Sequence, residues 1–199
     1  MENQKIKNKT VMMKIKNITT LCLIVAVITT ISSVTAQTKY IDKKGKITFE
    51  ASEELFEPVK ATNESVTVIL NIETNEIASL ALMKSFRFKN SLMEEHFNEN
   101  YIESETYPKA TFKGKLLDFK LSELTENDTE VTVDGKIELR GKEKQILTTL
   151  KIKKSDDSII IKGSFIVTPD DFDIEIPGIV KNKIANEIMV YLDFKLSQK

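Results

Sequence analysis

Apolar and polar residues alternate along most of the chain after residue 45. In "KITFEAS" (46–52), for example, Ile47, Phe49 and Ala51 fall on one face and polar residues fall on the other. A period of two residues is typical of a β-strand with one buried face. The same period recurs in further runs, at 65–72, 130–139, 145–153, 158–167 and 187–196.

The spacing of these runs predicts how the strands are connected. Less regular runs at 76–88 and 109–120 bring the number of predicted strands to about eight. Polar segments at 139–145 and 153–158 have the length and composition of hairpin connections. The sequence therefore predicts an all-β fold, an antiparallel up-and-down barrel, because closure removes the exposed edges of a sheet. A sandwich of two sheets is the structural alternative.

One acidic segment, "SLMEEHFNEN", breaks the alternation. Ser91 and Glu94 have the spacing of a capping box, which predicts a short helix over Leu92–Asn100. Two adjacent faces of that helix would carry Leu92 with His96, and Met93 with Phe97. A second irregular segment, at 168–183, is long, acidic and interrupted by prolines.

The first 36 residues have the organisation of a secretory signal peptide. Five lysines precede an uncharged apolar run, Leu21–Ile31, and Val34 and Ala36 provide the small residues before a cleavage site at Gln37. The apolar run is shorter than the ~20 residues of a membrane-spanning helix, so a retained anchor is the less favoured interpretation. The sequence predicts a periplasmic or secreted domain over 37–199, without a stable membrane span after cleavage.

The composition of the predicted exported domain bears on its stability and on the classes of partner that it could bind. The only cysteine, Cys22, lies in the predicted signal peptide, so the mature domain has no disulfide and depends on its core for stability. Residues 1–36 hold five of the 29 basic and one of the 30 acidic residues, which leaves 24 basic and 29 acidic residues. Such a mildly acidic domain has no electrostatic basis for binding nucleic acid.

The sequence offers few residues for catalysis. A serine or threonine nucleophile would need His96, the only histidine, as its base, and no G-x-S-x-G motif is present. The glycines are too scattered for a phosphate-binding loop. Zinc usually takes several His or Cys ligands, and the acidic run at 170–175 has Ile176 where a calcium loop requires glycine. We therefore predict no catalytic residue, metal or cofactor, and interpret 170–175 as a solvated turn at a barrel mouth.

Four segments resemble the YceI-like family. "MEEHFNENYIESETYPKATFKGK" (93–115) resembles the family segment in which an acidic helix with a histidine leads to Y-P-x-A-T-F. The hairpin at 133–154, the segment at 163–178 and the closing strand at 187–196 resemble later family segments in the same order. The resemblance covers most of residues 38–197.

This resemblance implies an exported, lipocalin-like barrel that holds a polyisoprenoid, a fatty chain or another long amphiphilic lipid in its lumen, with the short helix at one end. The residues expected to contact the lipid are Phe86, Phe88, Leu92, Met93, His96, Phe97, Phe112 and Phe165. His96 would be a neutral hydrogen-bonding group at the rim, or would instead be tied into a glutamate or backbone network. Plain core packing is the alternative role for the four phenylalanines outside the helix.

The sequence departs from the family pattern at two places. Met93-Glu94-Glu95-His96 stands where the family commonly has Arg-Asp-x-His, and Thr168-Pro169 replaces a basic residue and serine. The missing basic groups favour a neutral lipid head group. An enzyme or enzyme accessory acting on isoprenoid lipids or exported sugars, and a filled barrel acting as an interaction module, stay open as alternatives. The segment 50–65 has no assigned role, and an exposed final strand would allow a homodimer.

Overall fold

The structure, a computed structural model, describes residues 39–52 and 57–199, and the predicted signal peptide lies outside these residues. The described part contains nine strands, all of them paired antiparallel. They are β1 (Lys39–Ser52), β2 (Lys60–Asn71), β3 (Glu76–Leu82), β4 (Arg87–Phe88), β5 (Lys109–Leu116), β6 (Thr129–Leu139), β7 (Lys142–Ser155), β8 (Ser158–Val167) and β9 (Ile184–Gln198).

Eight of these strands close into a barrel. Their order around it is β1-β9-β8-β7-β6-β5-β3-β2, and β2 pairs with β1 to complete the circle. The ninth, β4, is only two residues long and pairs with β2 through Ala61 and Thr62. The predicted antiparallel barrel of about eight strands is thus confirmed. No described strand of the barrel is left with an open edge along its whole length, which a two-sheet sandwich would require.

One end of the barrel is packed by large aliphatic side chains. The most deeply buried of them are Leu70, Leu116, Ile152, Ile159, Ile161 and Leu196, each at most 1% exposed. Register brings them together, because Ile161 pairs with Ile152 on one side while Ile159 pairs with Leu196 on the other. Each such side chain contributes about 1.5–3 kcal/mol by leaving water. This end therefore supplies much of the stability of a domain without disulfides.

A pair of glycines shapes the inner wall between β5 and β6. Gly114 and Gly135 are directly opposite each other in the ladder, and the ring of Phe112 lies over both. A Cβ atom built on Gly114 or Gly135 would lie 2.7 or 2.6 Å from Cζ of that ring, closer than real side chains approach. The two glycines thus allow an aromatic ring to lie against the wall.

The predicted helix is present at the opposite end of the barrel, with shifted boundaries. An α-helix, α1 (Ser91–His96), continues into a π-helical turn over Phe97–Tyr101. The predicted capping box was wrong, because Asn90 caps the helix: its Oδ1 accepts hydrogen bonds from the Leu92 and Met93 amides at 3.0 and 3.4 Å. Among the described helices, none has both the length and the apolar character needed to cross a bilayer.

Glu94, the other half of the predicted capping box, has a different role. Its carboxylate accepts a hydrogen bond from the Phe88 amide at 3.1 Å and forms an ion pair with Arg87 at 2.7 Å. Both partners belong to β4, the short strand just before the helix. Glu94 therefore fixes α1 to the barrel rather than closing its first turn.

Candidate functional site: an apolar cavity at the helical end of the barrel

The half of the lumen nearest α1 encloses a cavity of about 590 Å³. All eight barrel strands contribute inward-facing residues to its wall, and the great majority of these side chains are apolar. Among the described lining residues, Glu57 is the only acidic residue, and Lys183 and His96 are the only basic residues. A volume of this size, with few polar groups, is typical of a pocket for a small apolar ligand.

The structure places all eight sequence-predicted site residues along this cavity. Phe86 is deeply buried, whereas Leu92 is 54% exposed and stands at the mouth. His96 is also exposed at the mouth, and its side chain forms no hydrogen bond with any residue of 39–52 or 57–199. Contact between these residues and a ligand stays a prediction.

Four phenylalanines form an aromatic cluster between α1 and the barrel: Phe49, Phe86, Phe88 and Phe97. The Phe97 ring lies 5.3, 6.0 and 5.1 Å from the rings of Phe49, Phe86 and Phe88, respectively, measured between centroids. Phe49 also lies 5.5 Å from Phe86 and 5.7 Å from Phe88. Pairs at these separations add about 0.5–1.5 kcal/mol each beyond the burial of their surfaces.

Phe49 is a cavity residue that sequence reasoning did not assign to the site. Alternation placed it on the inward face of β1, which is correct, but it gave no reason to place it opposite the helix. The signal that could have placed Phe49 at the site is its position close to the end of β1, three residues before Ser52. Inward residues at that end of a barrel strand face the mouth.

Two segments lie over the mouth of the cavity. We call α1 the helical cover and residues 168–183 the second cover. A short 3₁₀ helix, Pro169–Phe172, begins with a capping box in which Thr168 and Asp171 exchange hydrogen bonds. Phe172 is 1% exposed and lines the cavity together with Ile174. The expected solvated turn at 170–175 is therefore correct only for Asp170, Asp173 and Glu175, because Asp171 is partly buried and the apolar residues point into the barrel.

Ion pairs hold this cover to the β6–β7 hairpin. Lys144 pairs with Asp171, and Lys142 pairs with Asp173. Arg140, in the turn of the hairpin, donates to the carbonyl of Asp173 and to the carboxylate of Glu103 in the loop after α1. The two covers and the hairpin are thus linked through one guanidinium group, and three basic side chains near the mouth, those of Arg140, Lys142 and Lys144, are paired with carboxylates.

Burial and hydrogen bonding shift the pKa of two groups near the mouth. Partial burial acts to raise the pKa of Asp171, but hydrogen bonds from Lys144 and Thr168 outweigh it and hold that pKa below its usual range. Burial raises the pKa of the Tyr101 hydroxyl, which keeps this cavity-lining phenol neutral. Across residues 39–52 and 57–199, no three His, Cys, Asp or Glu side chains are grouped as a metal site would require.

Comparison with known proteins identifies relatives of the chain. The family model described as "YceI-like domain" matches residues 26–196. A polyisoprenoid-binding domain from Saccharophagus degradans, implicated in plant cell wall breakdown, superposes with a TM-score of 0.70 at 16% identity, over 82% of this chain and 100% of that one. No curated protein matches the sequence.

Two further solved structures share the fold. Burkholderia cenocepacia BcnA has a TM-score of 0.64 at 14% identity, over 79% of this chain and 99% of its own. The Campylobacter jejuni YCEI protein has a TM-score of 0.59 at 14% identity, over 74% of this chain and 89% of its own. At 14–16% sequence identity, the structural similarity shows that these proteins share the barrel fold.

Proposed function

Because the chain belongs to the YceI-like family, we propose that it binds a long-chain amphiphilic lipid, a polyisoprenoid or a fatty chain, inside the barrel without catalysing a reaction. The observation that carries this proposal is the apolar cavity of about 590 Å³ between α1 and the packed end. Each Å² of apolar surface moved from water into such a cavity contributes about 25 cal/mol. The polyisoprenoid-binding description of the Saccharophagus degradans domain supports the choice of ligand.

The proposal includes export of the protein to the periplasm or the medium. The basic, apolar and small-residue order of residues 1–36 supports it, since this order directs secretion and cleavage. Intact mass measurement of the protein from the extracytoplasmic fraction would test it. We expect a chain beginning at Gln37, and full-length protein in the cytoplasm would contradict it.

The charges at the mouth support a neutral head group. Arg140 and Lys144 are each paired with a carboxylate, so neither is available to an anionic ligand without losing a partner. The charges of Glu57 and Lys183 on the lining are opposite in sign. A hydroxyl or carbonyl group at the mouth would find a neutral donor in Tyr101 and a hydrogen-bonding ring in His96.

The surroundings of His96 support a binding role over a catalytic one. A histidine that acts as a general base is usually oriented by a third group through its second ring nitrogen. Among the described residues none provides that contact to His96. An enzyme would lose turnover of a lipid in the His96→Ala variant, whereas we expect this variant to lose only part of its affinity for a hydroxylated chain.

Native mass spectrometry after purification without detergent would test lipid binding directly. We expect one lipid molecule per chain, and uptake of a prenyl alcohol by delipidated protein. Ala110→Phe would place a ring in the cavity and should abolish uptake, whereas Ala78→Phe, on the outward face of β3, should not. Protein that carries no lipid and takes up none, or equal uptake by both variants, would contradict the proposal.

A further inference from the structure

The floor of the cavity is built from large side chains that lie over glycines of the neighbouring strand. A Cβ atom on Gly163 would lie 2.5 Å from Cδ2 of Leu150, and one on Gly45 would lie 2.8 Å from Cδ1 of Phe194. The ring of Phe112 likewise lies over Gly114 of its own strand, β5, and over Gly135 of the neighbouring strand, β6. Leu150, Phe194 and Phe112 all line the cavity, so three different strands contribute a side chain of this kind.

The next inward residues beyond Leu150 and Phe194 do not reach the cavity. Ile152 follows Leu150 on β7, and Leu196 follows Phe194 on β9, and neither residue lines it. Both are completely buried, as is Ile161, the partner of Ile152 across the β7–β8 ladder. The lumen is therefore closed below Leu150 and Phe194.

The dimensions of the open half limit what it can enclose. At about 30 Å³ for each water-sized group, a cavity of about 590 Å³ holds roughly 20 non-hydrogen atoms. Lining residues on β9 extend from Ile184 to Phe194, about 33 Å along the strand at ~3.3 Å per residue. A strand tilt of about 40° reduces that length to about 25 Å along the barrel axis, so the volume of the cavity rather than its depth sets the limit.

We propose that the layer of Leu150 and Phe194 is a chain-length stop, which limits the enclosed part of the ligand to about four isoprene units, or roughly 20 carbon atoms. This inference rests on the proposed function. Each methylene group buried in the cavity raises affinity about fourfold. A longer chain gains nothing further, because its surplus carbons stay at the mouth, in contact with water.

A series of prenyl alcohols from two to ten isoprene units, titrated into the delipidated protein, would test the stop. We expect Kd to fall steeply up to about four units and to stay level beyond them. A Kd that continued to fall with the same slope would overturn the stop and leave lipid binding intact. Failure to bind any chain would overturn the proposed function, and the stop with it.

Variants of the floor give a second test. Leu150→Ala and Phe194→Ala remove carbon atoms from the floor, so the level region of the series should begin at a longer chain. Leu150→Val is the milder form if the alanine variants fail to fold. Leu147→Ala is the matched control, since this leucine lies on the same strand but is 69% exposed on the outer face. The stop is refuted if the folded floor variants level off at the wild-type length, or if the control shifts as they do.

Discussion

The ring of Phe97, just after α1, stacks on the ring of Phe49, near the end of β1, with centroids 5.3 Å apart and planes inclined by 28°. This contact joins the helical cover to a strand that is remote in sequence. Both rings also contact Phe86 and Phe88, so the aromatic cluster is a single packed unit at the cavity mouth. The same rings thus stabilise the cover and form part of the wall that a ligand would meet.

Phe97→Ala should therefore loosen the helical cover. Phe97 is half-buried, so we expect a loss of about 2–3 kcal/mol in the free energy of unfolding, below the ~3–5 kcal/mol of a fully buried ring. Urea unfolding would measure this loss, and hydrogen exchange should show the amides of α1 opening more often. Phe97→Leu, which keeps an apolar contact, should lose about 1 kcal/mol. A change below ~0.5 kcal/mol in Phe97→Ala would contradict the role of the cluster.

Substitutions at Asn90 and Ser91 would distinguish the helix cap observed in the structure from the cap that the sequence pattern predicted. Asn90→Ala removes the side-chain oxygen that accepts from two amides of the first turn, and should cost about 1 kcal/mol. Ser91→Ala, at the residue that the capping-box pattern favoured, should stay within ~0.5 kcal/mol of wild type. Thermal unfolding of the two variants would decide the matter, and the reverse order of stabilities would show that Ser91 is the cap.

The barrel could be predicted from the sequence because its signals are local. Alternation fixes which side chains of a strand face inward, and short polar connectors fix that successive strands are antiparallel. The helix was found for the same reason, since its residues break a period of two within a single segment. The assignment of Phe86, Phe88, Phe112 and Phe165 to a ligand-holding lumen came from the resemblance to the YceI-like family, with core packing as the alternative, and all four line the cavity.

Contacts between distant segments could not be predicted in this way. Phe49 faces Phe97 only because the closure of β1 against β2 brings the end of β1 to the mouth. The pairing of Arg140 with Glu103 depends on the relative position of two loops, which no periodicity records. The division of the lumen into a packed and an open half also depends on register, because both halves have the same alternating pattern.

Comparison of wild type with Asp171→Asn should show how the stability that the second cover provides depends on pH. The folded-state pKa of Asp171 lies below the reference value of 3.8, so its ionised form stabilises the fold above that pH. This stabilisation is lost as the pH falls through the lower, folded-state pKa. We expect wild type to exceed Asp171→Asn by about 1 kcal/mol in the free energy of unfolding at neutral pH, with the difference vanishing once the pH falls below the folded-state pKa of Asp171.

Denaturant unfolding of both proteins across this pH range would measure the difference. Asp170→Asn is the matched control, because this neighbouring carboxylate is exposed and forms no ion pair with any described residue. This control leaves the pairing of Asp171 with Lys144 intact, so it should not reproduce the loss expected for Asp171→Asn at neutral pH. A difference between wild type and Asp171→Asn that persisted unchanged in acid would show that its pairing with Lys144 does not stabilise the cover.

Two glycine substitutions should have opposite effects on stability. A Cβ atom at Gly135 would lie 2.5 Å from the Cα atom of Gly114 and from the carbonyl oxygen of Lys113, and backbone atoms cannot move aside cheaply. Gly135→Ala should therefore lower the free energy of unfolding by about 2–3 kcal/mol. A Cβ atom at Gly178 meets nothing within 4 Å, so Gly178→Ala should raise it by about 0.4–1 kcal/mol through lower entropy of the unfolded chain. Urea unfolding would test both, and a tolerated Gly135→Ala would show that β5 and β6 can separate without loss of the barrel.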